Sequence, residues 1–143
     1  MSMETVLILC TGNAARSQMA EGFLWALAGD RFVVHSAGSK PSIVNSLAIQ
    51  VMAERGIDLS QHRSKHWEEF RSQPIKYVIT VCDAAAESCP LFPGKTQRLH
   101  WSFPDPAAVQ GADEVRLHAF RTVRDAHSRS PARMAGEPVD SAH

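Results

Sequence analysis

The chain has 143 residues, 44% of them hydrophobic and 21% charged, which fits one globular domain and excludes a disordered or membrane-spanning protein. Its 15 Lys and Arg are matched by 15 Asp and Glu, so a broad electrostatic surface for nucleic acid or anionic lipid is not expected and any anion site must be local. Three cysteines are too few for a disulfide scaffold and, being odd in number, are better read as thiols that pack or react in a reducing compartment.

The apolar run at residues 6–9 is too short for a signal-peptide core, and Glu4 precedes it where a leader carries basic residues. The expected compartment is therefore the cytoplasm. Residues 5–9 (TVLIL) form the continuous, partly β-branched run of a strand buried on both faces of a parallel sheet. A Gly-containing loop follows, then residues 17–28, where Met19, Ala20, Phe23, Leu24 and Leu27 recur at helical spacing before Gly29. Residues 31–37 (RFVVHSA) predict a second strand and residues 38–42 a turn. Leu47, Val51 and Met52 mark a helix ending at Gly56, whose lack of a Cβ suits a left-handed cap. A short helix is expected over 67–73, strands over 76–81 (KYVITV) and 96–101, and a last helix over 113–126 capped by Asp113, with Val115, Leu117, His118, Phe120 and Val123 at its periodic positions. Alternating strands and helices imply a parallel sheet covered on both faces. From Ser128 onward apolar periodicity gives way to Pro, Gly, Ser and charge, which predicts a mobile tail over 128–143 behind a single domain of residues 1–127.

Cys10 closes the first strand, and Arg16 follows six residues later where the first helix begins. The five residues between them, Thr11, Gly12, Asn13, Ala14 and Ala15, suffice to wrap backbone N–H groups around a tetrahedral oxyanion, toward which the helix directs its positive end. The Arg16 guanidinium adds a planar fork for two oxygens. A thiol titrates ordinarily near about 8.5, and helix N-termini and cations lower that value, so Cys10 is expected to be largely thiolate. Ser17 is positioned to donate a hydrogen bond to the sulfur. By itself, a Cys at a strand end is also what a small buried residue looks like.

Cys82 follows the third strand, and Cys89 lies seven residues on. If the first and third strands are neighbours, Cys82 approaches Cys10 at the carboxyl edge of the sheet. The intervening DAAAES has high helix propensity, and a helix would hold Cys82 and Cys89 about 10.5 Å apart. A disulfide needs Cα atoms within roughly 7 Å, so joining them requires the segment to unwind. Two inert core thiols are the alternative. A structural zinc site lacks a second Cys pair, and His62 and His66, one turn apart if helical, have no evident third ligand. Asp105-Pro106 reads as a turn when taken alone.

Residues 10–17, continued by Gln18-Met19-Ala20-Glu21-Gly22, resemble the phosphate-binding loop shared by the low-molecular-weight protein tyrosine phosphatases and the thioredoxin-coupled arsenate reductases. The run SQMAEG favours the reductases, as do Ser36-Ala37-Gly38-Ser39-Lys40-Pro41, Gly56-Ile57-Asp58 with His62-Arg63-Ser64, Val81-Cys82-Asp83 with Cys89-Pro90, and His100-Trp101 leading to Asp105-Pro106-Ala107. The likeness spans about residues 4–127.

The resemblance implies an α/β three-layer sandwich with a four-stranded parallel sheet and helices on both faces. It implies reduction of arsenate to arsenite for arsenic detoxification by a cysteine triad at Cys10, Cys82 and Cys89, through redox-active disulfides Cys10–Cys82 and then Cys82–Cys89. Arsenate would bind to residues Thr11, Gly12, Asn13, Ala14, Ala15, Arg16 and Ser17, with phosphate or sulfate as competitors and Asp105 as acid. Electrons would come from thioredoxin, with no bound cofactor; no nucleic-acid or membrane partner is expected, and the expected state is a monomer. Many family reductases bind potassium through residues at the positions of Asn13, Glu21, Ser36 and an Asp, but Lys65 stands at the Asp position, where its ammonium would replace the ion. Ala15 replaces a cysteine outside the triad, and Ala107 replaces the Tyr that the phosphatases place after Asp-Pro. The alternatives are a phosphomonoesterase and an oxyanion-binding or redox-sensing module.

Overall fold

The structure is a computed structural model that describes residues 3–83, 85, 89–90, 92–93 and 95–128. Its strands are β1 (Glu4–Cys10), β2 (Phe32–Gly38), β3 (Tyr77–Thr80) and β4 (Gln97–His100), and its helices are α1 (Arg16–Ala28), α2 (Ser46–Ala53) and α3 (Asp113–His127). Two 3₁₀ helices occupy Trp67–Phe70 and Pro106–Ala108. The strands form one parallel sheet in the order β2-β1-β3-β4. The central β1 is the apolar run, and Val6, Leu7 and Ile8 are fully buried because helical layers cover both of its faces.

Side-chain alternation along β2 separates those layers. Ser36 points to α1, where its hydroxyl donates to Glu21, and α1, α2 and α3 pack together on that side. His35 points the other way and stacks on Phe70 of the first 3₁₀ helix at 4.7 Å. The expected four-stranded parallel α/β architecture is thus present.

Element ends differ from the sequence reading where local chemistry intervenes. The second helix is regular only to Ala53 and continues as a turn to Gly56, which has the expected left-handed backbone at φ 74°. The expected helix over 67–73 is a 3₁₀ turn ending at Phe70, with Pro74 soon after. Asp113 does not cap α3: Ala112 holds the cap position without a side-chain bond, and Asp113 is the first helical residue, 3.8 Å from Arg116. There its charge still opposes the helix dipole favourably. Val115 is 52% exposed, whereas Phe120, Val123, Arg124 and His127 form the buried stripe. Buried Arg124 donates to Val51 O (2.9 Å) and Glu54 (2.7 Å), fastening α3 to α2. The segment expected to be helical between Cys82 and Cys89 lies largely outside the described residues, as does the tail from residue 129.

Parallel pairing sets the working edge. Leu9 lies opposite Thr80, and Val81 N donates to Leu9 O at 3.0 Å, so Cys10 and Cys82 leave adjacent strands side by side. At the end of β2, a Cβ on Gly38 would lie 2.3 Å from Thr11 O, which leaves no room there for any other residue.

Candidate active site

The loop after β1 is shaped by where its carbonyls go. Thr11 O accepts from Lys40 N (2.9 Å), Gly12 O from Ser42 N (3.2 Å) and Ser64 Oγ (2.8 Å), Asn13 O from Gln18 Nε2 (3.2 Å), and Ala14 O from Asn45 N (2.8 Å). With every carbonyl drawn outward, the amides of residues 12–15 face the opposite side and donate to no group among the described residues. Helix α1 begins at the next residue with Ala15 at its cap, no side-chain cap and no acidic residue in its first turn. Its N–H groups therefore add to the same concave donor array.

This array opens into a cavity of about 110 Å³ lined by Cys10, Gly12, Ala14, Arg16, Asn45 and Asp105, among others. The volume equals roughly that of three or four waters, about the size of a tetrahedral oxyanion. Arg16 donates to Phe103 O at 3.2 Å, and its other terminal nitrogen lies 3.8 Å from Asp105. That carboxylate also accepts from Ala107 N at 3.0 Å, so Asp105 is both the turn residue and a member of the cavity wall. Arg16→Lys is expected to weaken binding of inorganic phosphate about ten- to a hundredfold in calorimetric titration, because the charge survives and the two-pronged hydrogen bond does not. Unchanged affinity would put the anion elsewhere.

Cys10 and Cys82 are both buried free thiols at the ends of adjacent strands, where each shifts the other's titration. The Cys82 thiol and then burial push the Cys10 thiol up, with the Arg16 charge acting in the opposite sense. Cys10 in turn draws Cys82 down to about 5, assisted by Thr11, whose hydroxyl is 3.6 Å from its sulfur, and by the amide of Ala85. For Cys10, the Cys82 thiol and burial thus oppose the thiolate that the helix end and Arg16 favour, and the two thiols titrate as a pair. The expectation for Ser17 is corrected: its Oγ accepts from Asn13 Nδ2 (2.8 Å), and no hydrogen bond joins it to Cys10.

Asn13 has left-handed backbone (φ 48°) and a fully committed amide. Its Nδ2 donates to Ser17 and Ser36 (2.9 Å), while Oδ1 accepts from Gln18 Nε2 (3.0 Å) and Lys65 N (2.9 Å). Ser36 donates to Glu21, which is buried and also faces His62 at 3.6 Å. The Lys65 ammonium binds Arg63 O at 3.0 Å; burial lowers its pKa, and the Glu21 charge works against that shift. A potassium ion does not fit these residues, because Asn13 Oδ1 and Ser36 Oγ are already hydrogen-bonded and Lys65 puts a cation near Glu21 where a further anionic oxygen would be needed. His62 lies in this cluster, 3.0 Å from Gln18 Oε1, whereas His66 caps the first 3₁₀ helix by accepting from Glu68 N.

Cys89 is half-buried, donates to Pro90 O at 3.6 Å and lines a separate cavity of about 160 Å³. Burial pushes its thiol up, with Arg98 opposing. The fold thus brings Cys10, Arg16 and Asp105 to one cavity, with Cys82 on the strand end beside Cys10, while Cys89 lines another cavity.

Sequence reasoning missed His127, which is fully buried, stacks on Phe103 at 3.7 Å and has neither ring nitrogen bonded among the described residues. Its helical phase with Phe120 and Val123 was the available signal. It also missed a chain of polar contacts from Thr80 through His100 to Asp83.

The profile of the low molecular weight phosphotyrosine protein phosphatase family matches residues 5–134. The arsenate reductase of Halalkalibacterium halodurans is 42% identical over 125 residues, covering 87% of this chain and 90% of that protein. An arsenate reductase solved in its oxidized state superposes with a TM-score of 0.81 at 30% identity, over 94% of this chain and 98% of the other. A thioredoxin-dependent arsenate reductase of Corynebacterium glutamicum superposes with a TM-score of 0.65 at 27% identity, over 94% of this chain and 62% of that one.

Proposed function

Starting from the chain's membership of the low molecular weight phosphotyrosine protein phosphatase family, we propose that it is an arsenate reductase working through three thiols with thioredoxin as electron donor. One observation carries this reading: the parallel pairing of β1 with β3 sets a second thiol, Cys82, beside Cys10, which lines the oxyanion-sized cavity. Hydrolysis has no use for it.

Arsenate enters the cradle of amides 12–16 and the Arg16 fork. Cys10 passes its proton to Cys82 as its sulfur attacks arsenic, and Asp105 protonates the departing oxygen, which leaves as water. After Cys82 loses its proton to solvent, its sulfur attacks the Cys10 sulfur. The electron pair of the S–As bond then stays on arsenic, which departs as arsenite, while a Cys10–Cys82 disulfide forms. Phosphorus cannot accept that pair, so phosphate in the same cradle would act as a competitor. Cys89 attacks Cys82, frees Cys10 and leaves a Cys82–Cys89 disulfide for thioredoxin to reduce.

Residues 1–127 serve as one catalytic domain in this scheme, without a bound cofactor and as a monomer. The cytoplasm, where thiols remain reduced, is the compartment that the chemistry fits. Among the described residues, no helix is long and apolar enough to cross a membrane.

The family's phosphatase chemistry supports a second reading, a phosphomonoesterase using Cys10, Arg16 and Asp105. Adding arsenate to the protein with thioredoxin, thioredoxin reductase and NADPH separates the two. Sustained NADPH oxidation is the expected result; no oxidation, with steady hydrolysis of an aryl phosphate in the absence of any donor, would establish the phosphatase instead.

A further inference from the structure

The three-thiol reading leaves one proton unaccounted for. Cys89 must become a thiolate to attack Cys82, yet it is neither in the loop nor beside Arg16. Its surroundings follow from the register of the sheet edge. Val78 pairs with Arg98 and Thr80 with His100, so the two-residue alternation puts these four side chains on one face of the β3–β4 pair. Cys89 shares with them the cavity of about 160 Å³, which has room for a few waters.

His100 is held at both ring nitrogens. Its Nε2 is 3.1 Å from Asp83, the residue after Cys82, and its Nδ1 is 2.7 Å from Thr80 Oγ1. Ser102 donates to the same Asp83 oxygen at 3.4 Å. A carboxylate only accepts, so the neutral ring carries its proton on Nε2 and turns the Nδ1 lone pair to the Thr80 hydroxyl. Thr80 Oγ1 also lies 3.4 Å from Leu99 O, a longer and weaker acceptor than His100 Nδ1, and it keeps a lone pair able to accept from the cavity. Arg98 donates to Pro90 O at 3.3 Å, holding the backbone next to Cys89 and supplying the nearby positive charge.

We propose that His100, oriented by Asp83 and reached through the Thr80 hydroxyl, is the general base that deprotonates Cys89 for its attack on Cys82. This rests on the three-thiol reading. In the step, the Cys89 S–H proton passes through Thr80 Oγ1, directly or by a cavity water, to His100 Nδ1. The Cys89 sulfur forms a bond to the Cys82 sulfur, the Cys10–Cys82 bond breaks, and Cys10 leaves with its electron pair as a thiolate. Cys89 is oxidised and Cys10 reduced. The imidazolium, paired with Asp83, then returns its proton to solvent. Besides His100, the titratable and charged groups facing this cavity or the ring among the described residues are Cys89, Arg98 and Asp83.

The test is a single turnover of the reduced full chain with arsenate and no thioredoxin, quenched with acid. Released arsenite is quantified, and the two disulfides are resolved by peptide mass spectrometry. In His100→Gln, the arsenite burst is expected at the wild-type rate, while conversion of Cys10–Cys82 to Cys82–Cys89 slows about a hundredfold. Added imidazole or higher pH should restore it. Thr80→Val, which removes the relay hydroxyl but keeps the shape, should slow the same conversion and leave the burst intact. The intact burst also establishes that each variant is folded. Conversion at the wild-type rate in His100→Gln, or slowing that neither imidazole nor pH relieves, overturns the role of His100. Absence of an arsenite burst in the wild type overturns the three-thiol reading itself.

Discussion

Cys89→Ser is expected to release one equivalent of arsenite per chain and then stop, whereas Cys10→Ser and Cys82→Ser release none. In each case, steady thioredoxin-coupled turnover falls by several orders of magnitude, as it does when one member of a catalytic unit is lost. A serine at position 10 keeps the shape of the cradle but offers a hydroxyl that is not ionised at neutral pH and cannot hand an electron pair to arsenic. At position 82 the loss is different: arsenate still bonds to Cys10, but nothing adjacent can take that sulfur, because Cys89 faces another cavity. At position 89 the first disulfide forms and is stranded. Arsenite counted against protein and the disulfide mapped in each variant separate the three outcomes. Multiple turnovers by Cys89→Ser with thioredoxin present would remove Cys89 from the relay.

His127 carries the second large effect, on stability. The ring is held down to about 3, against an ordinary value of 6.5, by burial first and by the Arg16 charge second. Folding therefore expels a proton from this histidine at acid pH, since the unfolded chain binds it and the folded chain does not. The stability that depends on the neutral ring is complete above pH 6.5 and is lost as pH falls from there toward about 3, by about 1.4 kcal/mol per pH unit. His127→Leu should remove that slope. It should also raise stability at pH 7 by about 1–3 kcal/mol, because two buried ring nitrogens without partners give way to an apolar side chain. Urea titrations of wild type and variant at pH 7 and pH 5 measure both quantities, and the difference between the proteins cancels the contribution of other titrating groups. Parallel pH dependence in the two would show that another group is responsible. The imidazole stacks on Phe103, whose carbonyl holds Arg16, so the same replacement reports on how firmly the arginine is seated.

Much of this was legible in the sequence because it is local. The β1 run, the loop from Cys10 to Arg16 and the onset of α1 follow from consecutive residues, as do the strands at β3 and β4 to within one or two positions. Contiguous patterns report burial and backbone direction directly. The last helix was legible as a helix, but its phase was not. Val115 stands at a periodic position yet is exposed, whereas Arg124 and His127, polar by type, are buried because α2 and Phe103 cover them. Residue type cannot announce a partner seventy residues away.

The amino-acid sequence by itself determined the fold class and the place of the loop from Cys10 to Arg16 between a strand and a helix, since these depend on which groups follow one another and in what order. Only the tertiary structure decided which thiols are neighbours. The sheet order β2-β1-β3-β4 places Cys82 beside Cys10, and two thiols so placed shift each other's titration whatever the loop would do to either alone. The register of β3 with β4 likewise decided that His100 and Thr80 face Cys89. Electrostatics and hydrogen bonding act through space over a few ångströms, and those distances exist only once the chain has folded.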